Sequence, residues 1–409
     1  MNPELQQDIE ALADTVRRFT LERIAPHVAQ WEEAGEIPRA LYREAAALGL
    51  LGLGYPEALG GTPAPFALRN ALSTTMAHHS GSGGVMASLF SLNIGLPPVL
   101  RYGRPEVQQE AIPPVLRGEQ IAALAITEPG GGSDVAALRT TARRDPGSRS
   151  GAGPGSRSGA GSGDWVIDGE KVFITSGMRA DWITMAVRTG DAGSKGAGGI
   201  SMILVPGDAP GLSRSKLDKM GWWSSDTAHL RMDGVRVPAR YLLGEEGAGF
   251  RIIMANFNGE RLGMSAMALG FARACFDEAL DWARQRKTFG SALVEKQVIR
   301  HKLVDMQMRI ASTAAWIDAV AAMADAKLES DPNSLLGSDS NFVAQVCMLK
   351  NHATQTMQFC ADQAVQILGG MGYMRGTRSE RIYREVKVMM IGGGAEEIMK
   401  DLAARQLNL

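Results

Sequence analysis

Apolar residues recur three and four positions apart in "DIEALADTVRRFTLERIAPHVAQWEE", the spacing of one face of an α-helix. "PRALYREAAALGLLGL" carries a proline suited to a first turn and ends in glycine, which predicts a second helix. "RPEVQQEAIPPVLRGE" reads as another short helical pair. Near residue 123 the period changes. "WVIDGEKVFIT", Trp165 to Thr175, predicts two strands around Asp168-Gly169, a type I′ hairpin signal. "WITMAVRT" and "GISMILVPG" are further strands, and "GVRVP" closes the section. From residue 239 the helical period returns. Leu262, Leu269, Phe276 and Leu280 mark one face of a long helix, and "VAQVCMLKNHATQTMQFCADQAVQIL" forms another.

The pattern predicts an α+β chain, mostly α, in three parts. Helices occupy 1–122, a small β barrel or sandwich 123–238, and helices again 239–409. Inside the β part, "PGSRSGAG" occurs twice in tandem at 146–161. It has nothing to bury, so a flexible loop inserted between strands is expected there rather than a phosphate site.

Bulk composition narrows the function. The 409 residues are 45% hydrophobic and 21% charged, with a net charge of −1. Such a balance exerts no general pull on nucleic acid or anionic membrane. No apolar run reaches the ~18 residues of a membrane span, and the acidic amphipathic N-terminus does not read as a targeting peptide. Cys275, Cys347 and Cys360 form no CxxC, and there is no HExxH. A reducing, cytoplasmic protein without a metal centre is expected.

Five short stretches carry candidate chemistry. "ALAITEPGGGSD" (Ala123–Asp134) is a strand entering a glycine turn flanked by hydroxyls. Phe173-Ile174-Thr175-Ser176 ends a strand. "RQRKTFGSALVEKQ" (Arg284–Gln297) contains a helix stop at Lys287–Gly290, and "QILGGMGY" (Gln366–Tyr373) has a glycine pair after a helix. "MMIGGGAEEIMK" (Met389–Lys400) sets three glycines before two acids at a helix start, where backbone can approach a ligand closely. Taken singly, each stretch is explained by turns, caps and solvated helix ends.

In this order and at these spacings, the five resemble the acyl-CoA dehydrogenase family over about residues 5–405, with only the 146–161 repeat outside the likeness. The resemblance implies an N-terminal helical domain, a middle β domain and a C-terminal four-helix bundle, usually in a homotetramer. It implies FAD, an acyl-CoA thioester and electron delivery to an electron-transfer flavoprotein. By motif match Ile126, Thr127, Gly132 and Ser133 line the isoalloxazine and the start of the CoA path. Phe173 stands where the family usually has tryptophan, with Ile174 beside it, and Thr175 lies near flavin N5. Arg286 is suited to the FAD pyrophosphate, often of a neighbouring subunit, with Phe289 and Gln297 along the same cofactor. Gln366, Ile367, Leu368, Gly369 and Gly370 contact the adenine end across an interface. Ala395 and Glu397 follow the last glycine. Ala395 replaces a usual threonine, which leaves only a backbone contact.

The family reaction removes the α-proton of the thioester while the β-hydrogen leaves as hydride to N5, giving the trans-2-enoyl-CoA. In many members the base precedes the last glycine of the final motif, where this chain has Gly393. A smaller branch, including the isovaleryl-CoA and long-chain enzymes, takes it from an "ER" pair about 26 residues before the flavin arginine. "NFNGERLGM" supplies Glu260 and Arg261 at that interval. Apolar Met254, Phe257, Leu262 and Met264 surround Glu260, so desolvation is expected to raise its pKa toward neutrality. Asn258, Gly259, Arg261, Ser133 and Gly392–Gly394 are the expected substrate neighbours. Two glycines at 392 and 393 predict a pocket widened for branched chains, unless side chains such as Phe90 or Leu92 refill it. The alternatives are an oxidase or flavin monooxygenase on the same scaffold, and a non-catalytic flavoprotein that binds DNA or a protein partner.

Overall fold

The computed structural model describes residues 3–145, 163–190, 196–330 and 339–409. The octapeptide repeat lies outside the described residues. The chain begins with α1 (Pro3–Phe19), a π turn at Thr20–Ile24, and α2 (Val28–Ala34), which stops at left-handed Gly35. Pro38 caps α3 (Arg39–Ala47) from outside rather than entering its first turn. Next come α4 (Phe66–Ser80), α5 (Gly83–Leu89), α6 (Leu92–Gly95) and α7 (Pro97–Tyr102). The expected helical pair at 104–119 is instead one helix, α8 (Pro105–Leu116), with Pro113 and Pro114 inside it. The prolines fall in the last turn, so little helix remains downstream for them to break.

The middle section is one eight-stranded sheet: β1 (Ala122–Ala125), β2 (Thr141–Arg144), β3 (Trp165–Thr175), β4 (Trp182–Arg188), β5 (Ile200–Pro206), β6 (Leu212–Lys216), β7 (Thr227–Val237) and β8 (Leu242–Leu243). The order is β6-β7-β3-β2-β4-β5-β8, with β1 parallel to β4. Asp168-Gly169 is not a hairpin turn; β3 runs straight through it. The strand is paired on both edges, with β2 and β7, and the dipeptide makes a register shift against β7. Gly169 takes φ 142°, and Asp168 Oδ1 accepts the Gly234 N–H at 2.7 Å. A strand with partners on both sides keeps its ladder, and the flexible pair becomes a bulge.

The C-terminal section starts with α9 (Gly249–Gln285), 37 residues long. It continues through a tiny hairpin, β9 (Lys287–Thr288) and β10 (Ser291–Ala292), into α10 (Gln297–Ser330) and α11 (Ser340–Leu368). The chain finishes with α12 (Gly370–Tyr373), α13 (Arg378–Ile391) and α14 (Glu396–Gln406). Among the described residues, no single helix is long and apolar enough to cross a membrane.

Helix α9 organises the packing because many of its buried positions, on both sides of the helix, are small. Ala266, Ala268, Gly270, Ala272 and Ala274 are all buried, so neighbouring backbones come close. Thr74 Oγ1 of α4 donates to the Ala266 carbonyl at 2.9 Å. A Cβ placed on Gly270 would lie 2.3 Å from the Thr74 carbonyl oxygen. Alanine ordinarily gains about 1 kcal/mol over glycine in a helix. Here Gly270→Ala is expected to destabilise instead, by about 1–3 kcal/mol, because α4 must move away. Urea-unfolding midpoints of the two proteins decide the sign.

Candidate active site

A cleft of ≈ 2480 Å³ runs between α4–α7, the ends of β1 and β3, α9 and the turn after α13. It exceeds the usual size of a pocket for one small molecule. One wall is the loop after β1. Ile126, Thr127, Gly132 and Ser133 border the cleft, as do Phe173, Ile174 and Thr175 at the end of β3. Val172 N–H donates to the Thr127 carbonyl at 2.8 Å, joining the two segments. Phe173 is 68% exposed and takes φ 61°. A bulky residue at positive φ is strained, and this exposed aromatic borders the cleft.

That wall rests on a buried ion pair. Lys171, on β3, is fully buried, and its Nζ donates to the Ile126 carbonyl at 2.9 Å and to Glu128 Oε1 at 2.8 Å. The Glu128 carboxylate also accepts the Arg139 and Thr140 N–H groups. Burial pushes the Lys171 ammonium down to about 8. Burial works to raise the Glu128 pKa, yet Lys171 and the backbone donors hold it below the ordinary value.

Across the cleft stands Glu260 on α9. Its Oε2 is sealed from solvent and has no hydrogen-bond partner. Burial pushes its pKa up to about 7, against the opposing pull of Arg261 and Lys350. Those two cations are engaged elsewhere. Arg261 Nε donates to the Gly393 carbonyl at 2.9 Å. Lys350 of α11 is fully buried, and its Nζ donates to the carbonyls of Met390 at 2.9 Å and Gly394 at 2.7 Å. The glycine turn is thus held open-handed in front of Glu260. Gly393 and Gly394 both adopt positive φ. A Cβ on Gly393 would lie 3.9 Å from Glu260 Oε1, so the two positions address the same volume.

Several expectations need correction. Asn258 does not face the cleft; it is buried and accepts from Arg261 Nη1 at 3.2 Å. Two residues of helix separate it from Glu260 by about 200°, so they cannot share a face. Leu262 is likewise buried away from the cleft, whereas Met254, Phe257 and Met264 line it. The space beside Gly392 and Gly393 is not empty. Met264 lies 3.8 and 3.0 Å from their Cβ positions, and Met399 lies 2.3 Å from that of Gly394. Met264, rather than Phe90 or Leu92, is the apolar side chain nearest Gly392 and Gly393. Glu396 bonds Gln355 Nε2 at 2.6 Å and Lys400 Nζ at 2.7 Å, while Glu397 is exposed outside the cleft. Ala395 borders the cleft as the N-cap of α14, without a side-chain cap.

Arg286, Phe289 and Gln297 are exposed at the far end of α9. At 1.5 Å per helical residue, Arg286 is about 39 Å from Glu260. Phe289 is fully exposed at φ 49°. Gln366, Gly369 and Gly370 are exposed at the adjacent end of α11, but Ile367 and Leu368 are core residues. A hollow of ≈ 200 Å³, lined by Trp282, Gln285, Leu368 and Met371 among others, joins the two helix ends. Sequence reasoning missed Lys350 and Lys171. A lysine in the apolar stripe of α11, between Cys347 and Thr354, was the available signal for the first.

The cleft thus combines an exposed aromatic side chain, a glycine-rich loop and a carboxyl with a raised pKa. The acyl-CoA dehydrogenase N-terminal, middle and C-terminal domains match residues 6–119, 123–235 and 247–408. The mitochondrial long-chain specific acyl-CoA dehydrogenase of Rattus norvegicus is 35% identical over 396 residues, covering 96% of this chain and 85% of that protein. The crystal structure of a putative acyl-CoA dehydrogenase from Mycobacterium smegmatis superposes with a TM-score of 0.87 at 43% identity, covering 98% of this chain and 97% of the other. A glutaryl-CoA dehydrogenase from the same organism, solved in complex with FADH2, has a TM-score of 0.84 at 26% identity, covering 98% and 94%. The chain belongs to the acyl-CoA dehydrogenase family, whose members are FAD-dependent enzymes.

Removing the Lys350 ammonium as Lys350→Met leaves two buried carbonyls unpaired. Stability is expected to fall by about 1–3 kcal/mol, read as a lower denaturant midpoint. An unchanged midpoint would show that the glycine turn holds itself.

Proposed function

We propose that the chain dehydrogenates an acyl-CoA thioester between Cα and Cβ, with Glu260 as the base. The carrying observation is a cleft-lining carboxylate whose Oε2 is buried without a hydrogen-bond partner, in a cleft that the family uses for this chemistry. The likeness to a long-chain enzyme supports placing the base on α9. Glu260 takes the α-proton, the Cα–H pair forms the new double bond, and the β-hydrogen departs with its electrons. Bound FAD would supply the acceptor for that hydride.

The residues present fit the cofactor. Phe173 offers an exposed aromatic face, and a Cβ on Gly130 would meet nothing within 4 Å. Trp222 borders the cleft with an unpartnered buried Nε1. Ile126, Thr127, Ser133, Phe173 and Thr175 would hold the ring system. Arg286, Phe289, Gln297 and the Gln366–Gly370 turn lie too far from Glu260 to serve the same cofactor in one chain. They are read as serving a second subunit's FAD, which calls for an oligomer, a homotetramer by family likeness. Electron-transfer flavoprotein is the proposed acceptor and the cytoplasm the proposed location.

Glu260→Gln should retain flavin and lose about 10²-fold or more in turnover of acyl-CoA. Adding Gly393→Glu should return part of that activity. The return is limited, since a side chain at φ 66° is strained by about 1–2 kcal/mol. A fully active Glu260→Gln protein would sink the assignment.

The pH profile offers a second check. The base works ionised, so kcat/KM should rise through about pH 7 in the free enzyme. Stability should move the other way. Between the unfolded value near 4.5 and about 7 the folded chain binds more protons, so its stability falls as pH rises. Both trends should vanish in Glu260→Gln.

A further inference from the structure

Beyond Glu260 the cleft has a polar wall that an all-hydrocarbon chain leaves unsatisfied. Helix α4 turns Phe66, Arg69, Asn70 and Ser73 toward the cleft, the i, i+3, i+4, i+7 positions of one face. The Phe66 ring reaches 3.9 Å from a Cβ built on Gly259, so this face begins beside the base. Asn70 is 6% exposed, and its Nδ2 is buried without a partner. Among the described residues no hydrogen bond or ion pair engages the Arg69 guanidinium, which lies with its Cζ 4.5 Å from the Phe66 ring centroid. Asp325 is the nearby acid, but its two oxygens accept the Phe66 and Ala67 N–H groups at 2.7 and 3.4 Å. Tyr102, also on the cleft, has a buried hydroxyl with no partner.

An unpaired buried donor such as Asn70 Nδ2 is costly, and a cleft-lining guanidinium with no protein acceptor beside it among the described residues is free to bind a ligand oxygen. Donors without acceptors in a substrate cavity call for acceptors on the substrate. We propose that Arg69 and Asn70 form a specificity subsite for an acyl chain that bears a hydrogen-bond-accepting oxygen, carboxylate or carbonyl, beyond the reacting carbons. The proposal rests on the dehydrogenase reading above and adds the substrate class. Guanidinium and amide together suit a carboxylate, which would accept from both and pair with the cation. A keto oxygen would satisfy the donors without neutralising the charge.

The test compares kcat/KM for three CoA thioesters of equal chain length, ending in methyl, keto and carboxylate groups. Oxygen-bearing chains should exceed the methyl-ended one by about ten- to a hundredfold. If charge directs the choice, carboxylate should lead keto. Arg69→Met and Asn70→Asp should each reduce the oxygen-to-methyl ratio about tenfold, with flavin absorbance verifying the fold. Asn70→Asp should act most strongly on the carboxylate substrate by like-charge repulsion. Preference for the methyl-ended chain, or a ratio unmoved by either variant, overturns the subsite and leaves water as the partner of these groups. Absence of turnover with every thioester, in flavin-loaded protein, overturns the dehydrogenase reading and this proposal with it.

Discussion

One desolvated carboxylate sets the terms for the rest of this structure. Glu260 lines the cleft together with apolar Met254, Phe257 and Met264, and no donor reaches its inner oxygen. Raising a carboxyl from 4.5 to about 7 corresponds to roughly 3 kcal/mol of preference for the protonated form. That energy has to be met by packing elsewhere, to which the close association of α9 with α4 and α11 contributes. The small residues along α9 let those helices approach closely.

The placement of the two neighbouring cations matters as much as their presence. Had Arg261 or Lys350 bonded Glu260 directly, its pKa would have dropped and its basicity with it. Instead both donate to carbonyls of the Met390–Gly394 segment. They hold the glycine turn without quenching the carboxylate. The opposite wall uses the same device in a different form. Lys171 and Glu128 satisfy each other inside the sheet and fasten the Ile126 carbonyl, so a glycine-rich loop with little packing of its own keeps one position.

Helix α9 also separates two kinds of site residue. Its middle carries the base, and its far end carries Arg286 and the strained, exposed Phe289. A rigid helix cannot bring these together within one chain. On the reading proposed above, the same sequence stretch furnishes two different sites in an oligomer.

Much of this was legible in the chain. Helical and alternating periods marked the three sections because burial on one face imposes them locally. The five motifs named the family, and the apolar neighbours of Glu260 foretold its raised pKa. Other features were decided only by tertiary contacts. Asp168-Gly169 favours a turn by itself, but pairing with β2 and β7 carried the strand through. Asn258 and Leu262 are near Glu260 in sequence yet face away from it, because helical phase relative to the cleft depends on what α9 packs against. The space beside Gly392 and Gly393 is narrowed by Met264, which reaches in from α9 and not from the glycine turn itself. Lys171 looks like an ordinary surface cation in the sequence, and Lys350 stands out only by its place in an apolar stripe. Their roles come from burial, and burial is a property of the assembled fold, not of any local stretch.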